Sequence, residues 1–421
     1  MPNRRDVIII GAGIGGLVTA LQLHRLGVSV RLYESVGEIK ELGVGINLLP
    51  HSVRILTELG LSEELEREGV RTAELIYYNK FGQLIWREPR GIDAGYRWPQ
   101  YSIHRGRLQG ILLRAVKQRL GEDAIRTGHH LSHFEVAGDG VEAFFIDRRT
   151  KEAVGSDRAD VLIGADGIHS AVRRSFFPAE GLPKYGGRIL WRGITEAPPY
   201  LTGRSMIMAG HVDEKFVAYP ISGPNAEGKV LVNWIAELTV KEMPDRSDWN
   251  RQANIEDFAP VFANWRFDWL DVPELIAQAD TVYEFPLVDR DPLPKWSFDR
   301  VTLLGDAAHP MYPIGSNGAS QAILDADALY QAFRAETSVP RILQHYEQLR
   351  LEKTSSIVAS NRRMGPERVM QIVHERSPNG YEELYTVISK QELEEISMQY
   401  KQIAGFDKET LESLDTVEVD K

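Results

Sequence analysis

The order of apolar runs and glycines near the start of the chain predicts a strand, a helix and a second strand. Residues 6–10 (DVIII) form a short, mostly apolar run, as expected for a parallel strand that is buried on both faces. A second apolar run at residues 28–33 ends at Glu34. Between the two runs, apolar residues recur at helical spacing, namely Ile14, Leu17, Val18 and Leu21. The pattern therefore predicts a βαβ unit of a Rossmann-like α/β fold.

Three glycines in the turn of this unit have the spacing G-x-G-x-x-G: Gly11, Gly13 and Gly16. Such a turn lets the backbone approach a pyrophosphate at the positive end of the helix dipole. Glu34 closes the second strand where a carboxylate can accept hydrogen bonds from both ribose hydroxyls, which disfavours a 2′-phosphate. Glycine turns alone are common, but the strand, the helix and Glu34 in register favour a nucleotide-binding unit.

Two further features of this half of the chain are open to two interpretations each. Residues 42–50 form a loop in which Gly45 and Ile46 can lie flat against a planar ring, and the alternative is a plain connection between elements. Residues 101–109 open an amphipathic helix that runs to Leu120, and Arg105 lies near its start, although the dipole disfavours a cation at a helix start. A bound phosphate would explain Arg105, and a solvated arginine is the alternative.

The alternation of strands and helices breaks twice, which predicts a second domain. Residues 75–86 indicate two strands around a turn, and residues 188–237 indicate four strands with aromatic residues at alternating positions. Such strands are typical of an antiparallel sheet with one covered face. We therefore predict a discontinuous nucleotide-binding domain (1–72, 98–182 and 283–350), a sheet domain for the substrate (73–97 and 183–282) and a helical C-terminal region (351–421).

A buried strand at residues 300–304 ends in Gly305 and Asp306, and a helix begins near Gly318. Asp306 therefore lies at the carboxyl end of a parallel strand, where open α/β sheets bind their ligands. His309 follows in the same turn. It is a candidate general base, but a structural histidine is the favoured interpretation.

The composition excludes several classes of protein. The net charge of −11 over 421 residues argues against a nucleic-acid-binding protein, because such proteins need basic surface to displace counterions. Zero cysteines exclude disulfides, thiolate metal sites and cysteine nucleophiles. The apolar run behind Arg4 and Arg5 is too short for a signal peptide, and no stretch reaches the roughly 20 apolar residues of a membrane span. We predict a cytoplasmic enzyme, monomeric or homodimeric, with no metal.

Three separated motifs resemble those of the single-component FAD-dependent aromatic hydroxylases, the family of salicylate and 4-hydroxybenzoate hydroxylases. They are the glycine unit ending at Glu34, the segment 160–173 with Asp166 and Gly167, and the turn 305–310 followed by Pro313. The resemblance covers residues 6 to about 350, and several stretches, such as PQYSIHRG (99–106), are most similar to the phenazine-modifying branch of the family. The order of the three motifs makes the resemblance more specific than any one of them.

The resemblance implies a set of FAD-binding residues that runs from the glycine turn to the helix near residue 318: Gly11, Gly13, Gly16, Glu34, Gly45, Ile46, Arg105, Asp166, Asp306, Gly318 and Ala319. Arg105 would face the pyrophosphate, and Asp306 would accept hydrogen bonds from the ribityl chain. Asp166, with Gly167, would serve both FAD and the nicotinamide cofactor. The helix near Gly318 would aim its N-terminal amides at the pyrimidine edge of the flavin.

The implied reaction is NAD(P)H-driven insertion of one oxygen atom of O2 into an aromatic or heteroaromatic ring, which can carry a carboxylate. In this family, reduced FAD adds O2 to form a C4a-hydroperoxide that the ring attacks. Candidates to line the substrate pocket are Trp191, Arg192, Tyr219, Trp234 and Pro313. Strand alternation places Trp191 and Arg192 on opposite faces. Arg192 is either a carboxylate anchor or, as we favour, a solvated arginine.

The sequence departs from the family pattern after Pro313. It has Ser316-Asn-Gly-Ala-Ser320 where many members have Gly-Gln-Gly-Ala-Asn, and Leu324 replaces a frequent glutamate. These changes put the substrate in doubt more than flavin binding. A dehydrogenase or halogenase on the same scaffold is one alternative, although the chain lacks the halogenase stretch Trp-x-Trp-x-Ile-Pro. A non-enzymatic binding protein with an FAD fold is the other.

Overall fold

A computed structural model describes residues 5–41, 43–242 and 251–412 of the chain. Leu42 of the predicted flavin loop and residues 413–421 of the predicted helical tail lie outside the described residues, as do residues 1–4 and 243–250. The described parts form the predicted α/β fold, with a parallel sheet, a second large sheet and a helical C-terminal region.

The strands and helices are numbered in chain order. The strands are β1 (Asp6–Ile10), β2 (Ser29–Tyr33), β3 (Gly45–Leu48), β4 (Gly69–Arg71), β5 (Glu74–Tyr78), β6 (Leu84–Pro89), β7 (Tyr101–His104), β8 (Ile125–Arg126), β9 (His130–Ala137), β10 (Gly140–Ile146), β11 (Ala153–Ala159), β12 (Val161–Gly164), β13 (Lys184–Ala197), β14 (Ser205–Gly210), β15 (Glu214–Pro220), β16 (Val230–Thr239), β17 (Arg251–Gln252), β18 (Arg266–Phe267), β19 (Leu270–Asp271), β20 (Val282–Asp289) and β21 (Val301–Leu303). The α-helices are α1 (Ile14–His24), α2 (Pro50–Glu58), α3 (Ser62–Glu68), α4 (Arg105–Leu120), α5 (Ala171–Phe176), α6 (Val272–Ala277), α7 (Gly318–Ala335), α8 (Val339–Arg362), α9 (Arg368–Arg376) and α10 (Lys390–Ala404).

The parallel sheet has the strand order β21-β12-β1-β2-β8. All four strand pairs are parallel, and Ile9 of the central strand lies opposite Leu32 and Ile163. Its apolar strands are buried, since α1 packs with α4 and α7 over the sheet and the three-stranded sheet of β9, β10 and β11 also packs against it, with Phe145 stacked on Tyr33. The carboxyl ends of β1, β12 and β21 meet at one edge, and this edge forms one wall of the site.

The second large sheet has eight strands in the order β17-β20-β13-β16-β15-β14-β5-β6. It is antiparallel as predicted, except that β5 and β14 are parallel. Strand alternation gives it two different faces. We call outer face the side with Trp191, Phe216 and Trp234, which the aromatic segment 255–277 covers. We call inner face the side with Tyr77, Met206, Met208, Tyr219 and Ile235, which packs against the C-terminal region and the parallel-sheet edge.

The C-terminal region is more ordered than the sequence indicated. The 24 residues of α8 run without a break through the predicted boundary between residues 350 and 351. The sequence predicts a helical region over residues 351–421, and in the structure this region contains the end of α8, α9 at Arg368–Arg376 and α10 at Lys390–Ala404. Buried ion pairs from Lys215 to Glu237 (2.8 Å) and Glu367 (2.6 Å) join the inner face to the turn before α9. The C-terminal region is thus part of the wall of the site.

Two possible features are missing from the parts of the chain that the structure describes. Within residues 5–41, 43–242 and 251–412, no helix has the length and apolar character needed to cross a membrane. In the same ranges, no group of three or more histidine, cysteine, aspartate or glutamate residues is arranged to hold a metal ion.

Candidate active site

A central pocket of about 350 Å³ lies between the edge of the parallel sheet and the inner face. Ten of the site residues predicted from the sequence line it, although they come from distant parts of the chain. Among them are Gly13, Ile46, Arg105, Asp306, Pro313 and Gly318. Gly45, Arg192, Tyr219 and Ala319 also line it. Four parts of the chain thus meet the inner face at this pocket: the loop after β1, the start of β3, the end of β21 and the start of α7.

The glycine turn after β1 has the geometry that its spacing predicts. Gly11 has φ +104°, and a Cβ there would lie 2.4 Å from the carbonyl oxygen of Ala165. A Cβ on Gly16 would lie 2.1 Å from the carbonyl oxygen of Gly11. Gly13, in contrast, has no neighbouring atom within 4 Å of such a Cβ and lines the pocket. Gly11 and Gly16 therefore permit close packing, and Gly13 opens the approach to the helix start.

Glu34 lies at the end of β2, beside the glycine turn. One carboxylate oxygen accepts a hydrogen bond from the Ala12 N–H at 3.0 Å. The other accepts from the Ser35 hydroxyl at 3.0 Å and from the Val36 N–H at 3.1 Å. The carboxylate is thus fixed next to the turn, and its spare lone pairs suit two ribose hydroxyls.

Asp306 follows β21 and directs its carboxylate into the central pocket. Its side chain is accessible from the pocket, but the protein around the pocket reduces its contact with bulk solvent. This burial raises the pKa of the carboxyl group. Within the described ranges, the carboxylate makes neither a hydrogen bond nor an ion pair. A ligand with hydroxyl donors would satisfy it, because an unpartnered carboxylate in such a place is unfavourable.

The turn that carries Asp306 is held from below by Asp325 of α7. The fully buried Asp325 carboxylate accepts hydrogen bonds from the Gly305 N–H at 2.9 Å and from Arg350 Nε at 2.7 Å. His309 Nε2 lies 2.6 Å from the same carboxylate. Burial acts to raise the pKa of Asp325, but His309 and Arg350 outweigh it and lower the pKa to about 2. His309 is therefore a structural histidine, as the sequence favoured.

Helix α7 begins at the pocket and points its N terminus into it. Gly318 and Ala319 line the pocket, and the Asn317 side chain makes no capping hydrogen bond to the helix. The first amides of this 18-residue helix are thus available to a ligand with partial negative charge. This arrangement matches the role expected for Gly318 and Ala319.

The segment predicted as a loop beside the flavin (42–50, the flavin loop) contains strand β3 in the structure. It is hydrogen-bonded to the inner face at Gly45. The Gly45 N–H donates to the side-chain oxygen of Asn233 at 2.6 Å. The Gly45 carbonyl oxygen accepts from Arg192 at 3.1 Å and from the Tyr219 hydroxyl at 2.8 Å. A Cβ on Gly45 would lie 2.7 Å from both Asn233 and Tyr219, so only glycine fits here. Sequence reasoning missed Asn233, whose one signal is a polar residue among the apolar residues of β16.

Arg192 and Tyr219 contribute the main polar groups of the inner face to the pocket. Burial raises the pKa of Tyr219 to about 12, so this tyrosine is neutral near pH 7. Burial lowers the pKa of Arg192, but an arginine side chain keeps its charge in proteins. Arg192 has no carboxylate partner within the described residues, and its Nε makes no hydrogen bond. The favoured expectation of a solvated arginine does not hold, since Arg192 is half-buried and lines the pocket.

Three predicted site residues lie elsewhere. Trp191 and Trp234 are on the outer face, where their indole N–H groups donate to Glu284 (3.2 Å) and Thr195 (3.0 Å). Strand alternation explains this placement, because Arg192 and Asn233 occupy the inner positions next to them. Asp166 caps α5 by accepting from Ser170 and Ala171, at 2.5 and 2.7 Å, while its neighbour Gly167 lines the pocket.

The donor set of the pocket fits FAD. Gly13 and the start of α1 suit the pyrophosphate, Glu34 the ribose, Asp306 the ribityl hydroxyls and the start of α7 the flavin ring. Gly45 and Ile46 of β3 lie on the side of the inner face, where a planar ring can contact them.

Comparisons with known proteins agree with this geometry. The chain belongs to the family described as FAD binding domain, whose model matches residues 4–361. It is an FAD-dependent enzyme of the aromatic hydroxylase type, which confirms the predicted cofactor and class.

Two relatives have similar length and clear identity. Phenazine 1,6-dicarboxylic acid hydroxylase PhzS of Lysobacter antibioticus is 45% identical over 368 residues, which cover 86% of this chain and 90% of the relative. The 3-amino-4-hydroxybenzoate 2-monooxygenase PtnB3 of Streptomyces platensis is 34% identical over 377 residues, which cover 87% and 89%.

Solved structures share the fold. HpxO of Klebsiella pneumoniae, complexed with FAD and uric acid, has a TM-score of 0.72 at 23% identity and covers 96% of this chain and 94% of its own. A salicylate hydroxylase substrate complex has a TM-score of 0.72 at 22% identity, with 96% and 98% covered. At these identities the likeness shows the fold.

Proposed function

We propose that this monooxygenase hydroxylates a planar aromatic or heteroaromatic acid that binds between the flavin pocket and the inner face. The observation that carries the proposal is Arg192, a cation that lines the pocket without a carboxylate partner among the described residues. A buried arginine is stabilised by a charged acceptor, and a substrate carboxylate is the anion that an aromatic hydroxylase would bring. The 45% identity to a relative named for a phenazine dicarboxylic acid supports this class of substrate.

Bound FAD would supply the redox chemistry, taking electrons from NADH or NADPH and activating O2. The chain supplies binding and orientation. Gly13 and Glu34 would hold the ADP half, with Arg105 beside the phosphates, and Asp306 would hold the ribityl hydroxyls. The amides at the start of α7 would stabilise negative charge on the neighbouring ring edge.

The inner face would orient the substrate and exclude water. Tyr219 remains protonated at neutral pH because burial raises its pKa to about 12. Its hydroxyl donates to Gly45, so the flavin loop and the substrate wall keep a fixed spacing. Pro313, which lines the same pocket, would limit the space above the ring. No side-chain nucleophile takes part in this proposal.

The test is NADH and NADPH oxidation by FAD-loaded protein in air, with phenazine carboxylates, hydroxybenzoates, salicylate and hydroxypyridine acids added singly. We expect one acid to stimulate oxidation and to yield a product one oxygen atom heavier by mass spectrometry. The matching ring without its carboxylate is the control. Slow, unstimulated oxidation that gives only peroxide with every acid would contradict the proposal.

Arg192 provides the sharper test. Arg192→Met keeps an unbranched, flexible side chain and removes its charge, and Arg192→Lys keeps the charge. We expect Arg192→Met to raise KM for the acid about 10- to 100-fold, because one charged hydrogen bond is lost. Arg192→Lys should show a smaller rise in KM, because the charge is kept. An unchanged KM in both variants would remove Arg192 from the substrate site.

A further inference from the structure

A second, smaller pocket lies behind the turn that follows Pro313. Arg90, Gln100, Met206, Met208, Ser316 and Phe406 are among its lining residues. Ser316 also lines the central pocket, so the two pockets share a wall at the flavin side of the inner face. We call this second space the distal pocket.

The distal pocket contains buried polar atoms without partners. Arg90 and Gln100 are 7% and 3% exposed, and neither Arg90 Nε nor Gln100 Oε1 has a hydrogen-bond partner. The Tyr77 hydroxyl, on the inner face beside Arg90, is also without a partner. Buried polar groups are rarely left unsatisfied in a folded protein, so their clustering at one cavity points to a polar ligand.

The charges around the distal pocket favour an anion. Arg90 and Lys401 both pair with one carboxylate, that of Glu88, which also accepts from the Ser397 hydroxyl at 2.6 Å. Two cations therefore share a single buried acid. Glu367, which follows the lining residue Pro366, is paired with Lys215 at 2.6 Å, and Asp407 accepts hydrogen bonds from the Thr410 N–H and hydroxyl. A ligand carboxylate near Arg90 would balance the remaining positive charge.

The walls of the distal pocket can adapt. Its free volume is about 10 Å³, the room for one water molecule. Met206 and Met208 form its floor, and methionine side chains fit irregular shapes easily because they are flexible and polarisable. The Phe406 ring closes one side, with its centroid 6.0 Å from the Arg90 guanidinium. Rotation of these side chains would admit a substituent at the end of a fused ring.

We propose that the distal pocket is a second recognition site, in which Arg90 and Gln100 bind a carboxylate at the end of the substrate remote from the flavin. The Gln100 amide can donate to the carboxylate after rotation about its terminal bond, and Arg90 donates through Nε. Arg192 and Arg90 would then select an elongated aromatic dicarboxylate over a monocarboxylate. This inference rests on the proposed function, because it assumes that an aromatic acid occupies the central pocket.

The experiment measures binding to oxidised, FAD-loaded protein by isothermal titration calorimetry, without NAD(P)H. The probes are phenazine-1,6-dicarboxylate and phenazine-1-carboxylate. We expect the wild type to prefer the dicarboxylate by about 10-fold or more, the strength of one charged hydrogen bond. In Arg90→Gln and Gln100→Leu the preference should fall towards 1, and Arg90→Lys should retain part of it. Arg204→Gln, at an exposed arginine paired with Asp93, is the matched control.

Three outcomes would overturn the distal site. In the first, the wild type binds both acids with equal affinity, and in the second it binds neither. In the third, Arg90→Gln lowers the affinity for both acids by the same factor, so that the preference for the dicarboxylate is kept. The last result would mean a structural role for Arg90, with only a water in the pocket. A melting temperature for each variant identifies misfolding, and in that case Gln100→Leu decides. Hydroxylation is assayed separately, so a wild type that binds the dicarboxylate selectively without forming product contradicts the proposed function alone.

Discussion

The two faces of the eight-stranded sheet are built from the same strands but differ in how their polar groups are satisfied. On the outer face, the Trp191 and Trp234 N–H groups both have acceptors, and the rings stack among aromatic neighbours such as Phe258. On the inner face, Arg192 Nε and the Asn233 side-chain nitrogen have no partner. The outer face therefore has the properties of a finished core, and the inner face those of a surface that a ligand completes.

This difference teaches which side of a sheet to search for function. The sequence analysis predicted that Trp191 and Trp234 line the substrate pocket, because they are aromatic residues of this sheet. Trp234, however, is 0% exposed and packs away from the pocket. In contrast, the unsatisfied side-chain atoms of Arg192, Arg90 and Gln100 belong to residues that line the central or the distal pocket. We expect substitutions on the outer face to cost stability, and substitutions around the pockets to cost binding.

The largest expected effect is on the outer face. Trp234→Ala should lower the free energy of unfolding by about 3–5 kcal/mol, because it leaves a cavity beside Gly193 and Phe216. The measurement is chemical denaturation, with Trp234→Phe as a milder control. FAD affinity below the melting temperature should stay within about twofold of the wild type. A stable variant with weakened FAD or substrate binding would break the comparison.

The next effect is a pH dependence at His51 of α2, which packs against Phe406 near the distal pocket. Burial lowers its pKa to about 3, from 6.5. As the pH falls, His51 takes up its proton at a higher pH in the unfolded chain than in the folded protein. The free energy of unfolding is therefore unaffected by His51 above pH 6.5, and it decreases as the pH falls toward 3. The loss should approach about 1.4 kcal/mol per pH unit below pH 6. His51→Gln should show a smaller slope in denaturation curves between pH 7 and 5, and equal slopes would exclude His51.

Asp306→Ala tests the far wall of the central pocket. Removal of its carboxylate should weaken FAD binding by about 10- to 100-fold, the contribution of a charged hydrogen bond, with the melting temperature of the FAD-free protein unchanged or raised. Fluorescence titration of FAD gives the dissociation constant, and Asp280→Ala, an exposed acid, is the control. Full FAD retention would contradict the role of Asp306.

The smallest expected effect is that of Glu34→Gln. An amide retains an oxygen that can accept from Ala12 and from one ribose hydroxyl, so FAD affinity should fall only about two- to tenfold. The same titration measures it. If affinity is unchanged, Glu34 serves the glycine turn and not the ribose.

The parts of the site that the sequence predicts are those whose reason is local. Gly16 is required by its contact with Gly11 within one βαβ unit, Gly11 has a positive φ in the turn of that unit, and Asp306 follows a buried strand. The residues that were missed depend on contacts distant in the chain. Asn233 bonds to Gly45, 188 residues away, and Arg90 reaches the distal pocket only because α10 covers β6.

Strand alternation also has a limit that the inner and outer faces illustrate. It correctly separates Trp191 from Arg192, but it does not say which of the two faces the flavin. That choice is made by the segment 255–277 and the C-terminal region, which cover opposite faces. The helix α9 lies inside the region predicted as helical (351–421), but its bounds were not predicted, because nine residues are too few for a clear periodic signal.

The buried link between Lys215 and Glu367 has a consequence for protein engineering. Glu367 lies five residues beyond the end of α8, and Lys215 lies in the middle of the substrate sheet. A chimera that places Glu367 against a sheet without a lysine at position 215 would bury this carboxylate without its counterion, at a cost of several kcal/mol, whereas Lys215 without Glu367 would keep Glu237. The exchangeable unit of specificity is therefore α9 and α10 together with β15 and β16, although these pieces are more than a hundred residues apart in the gene product.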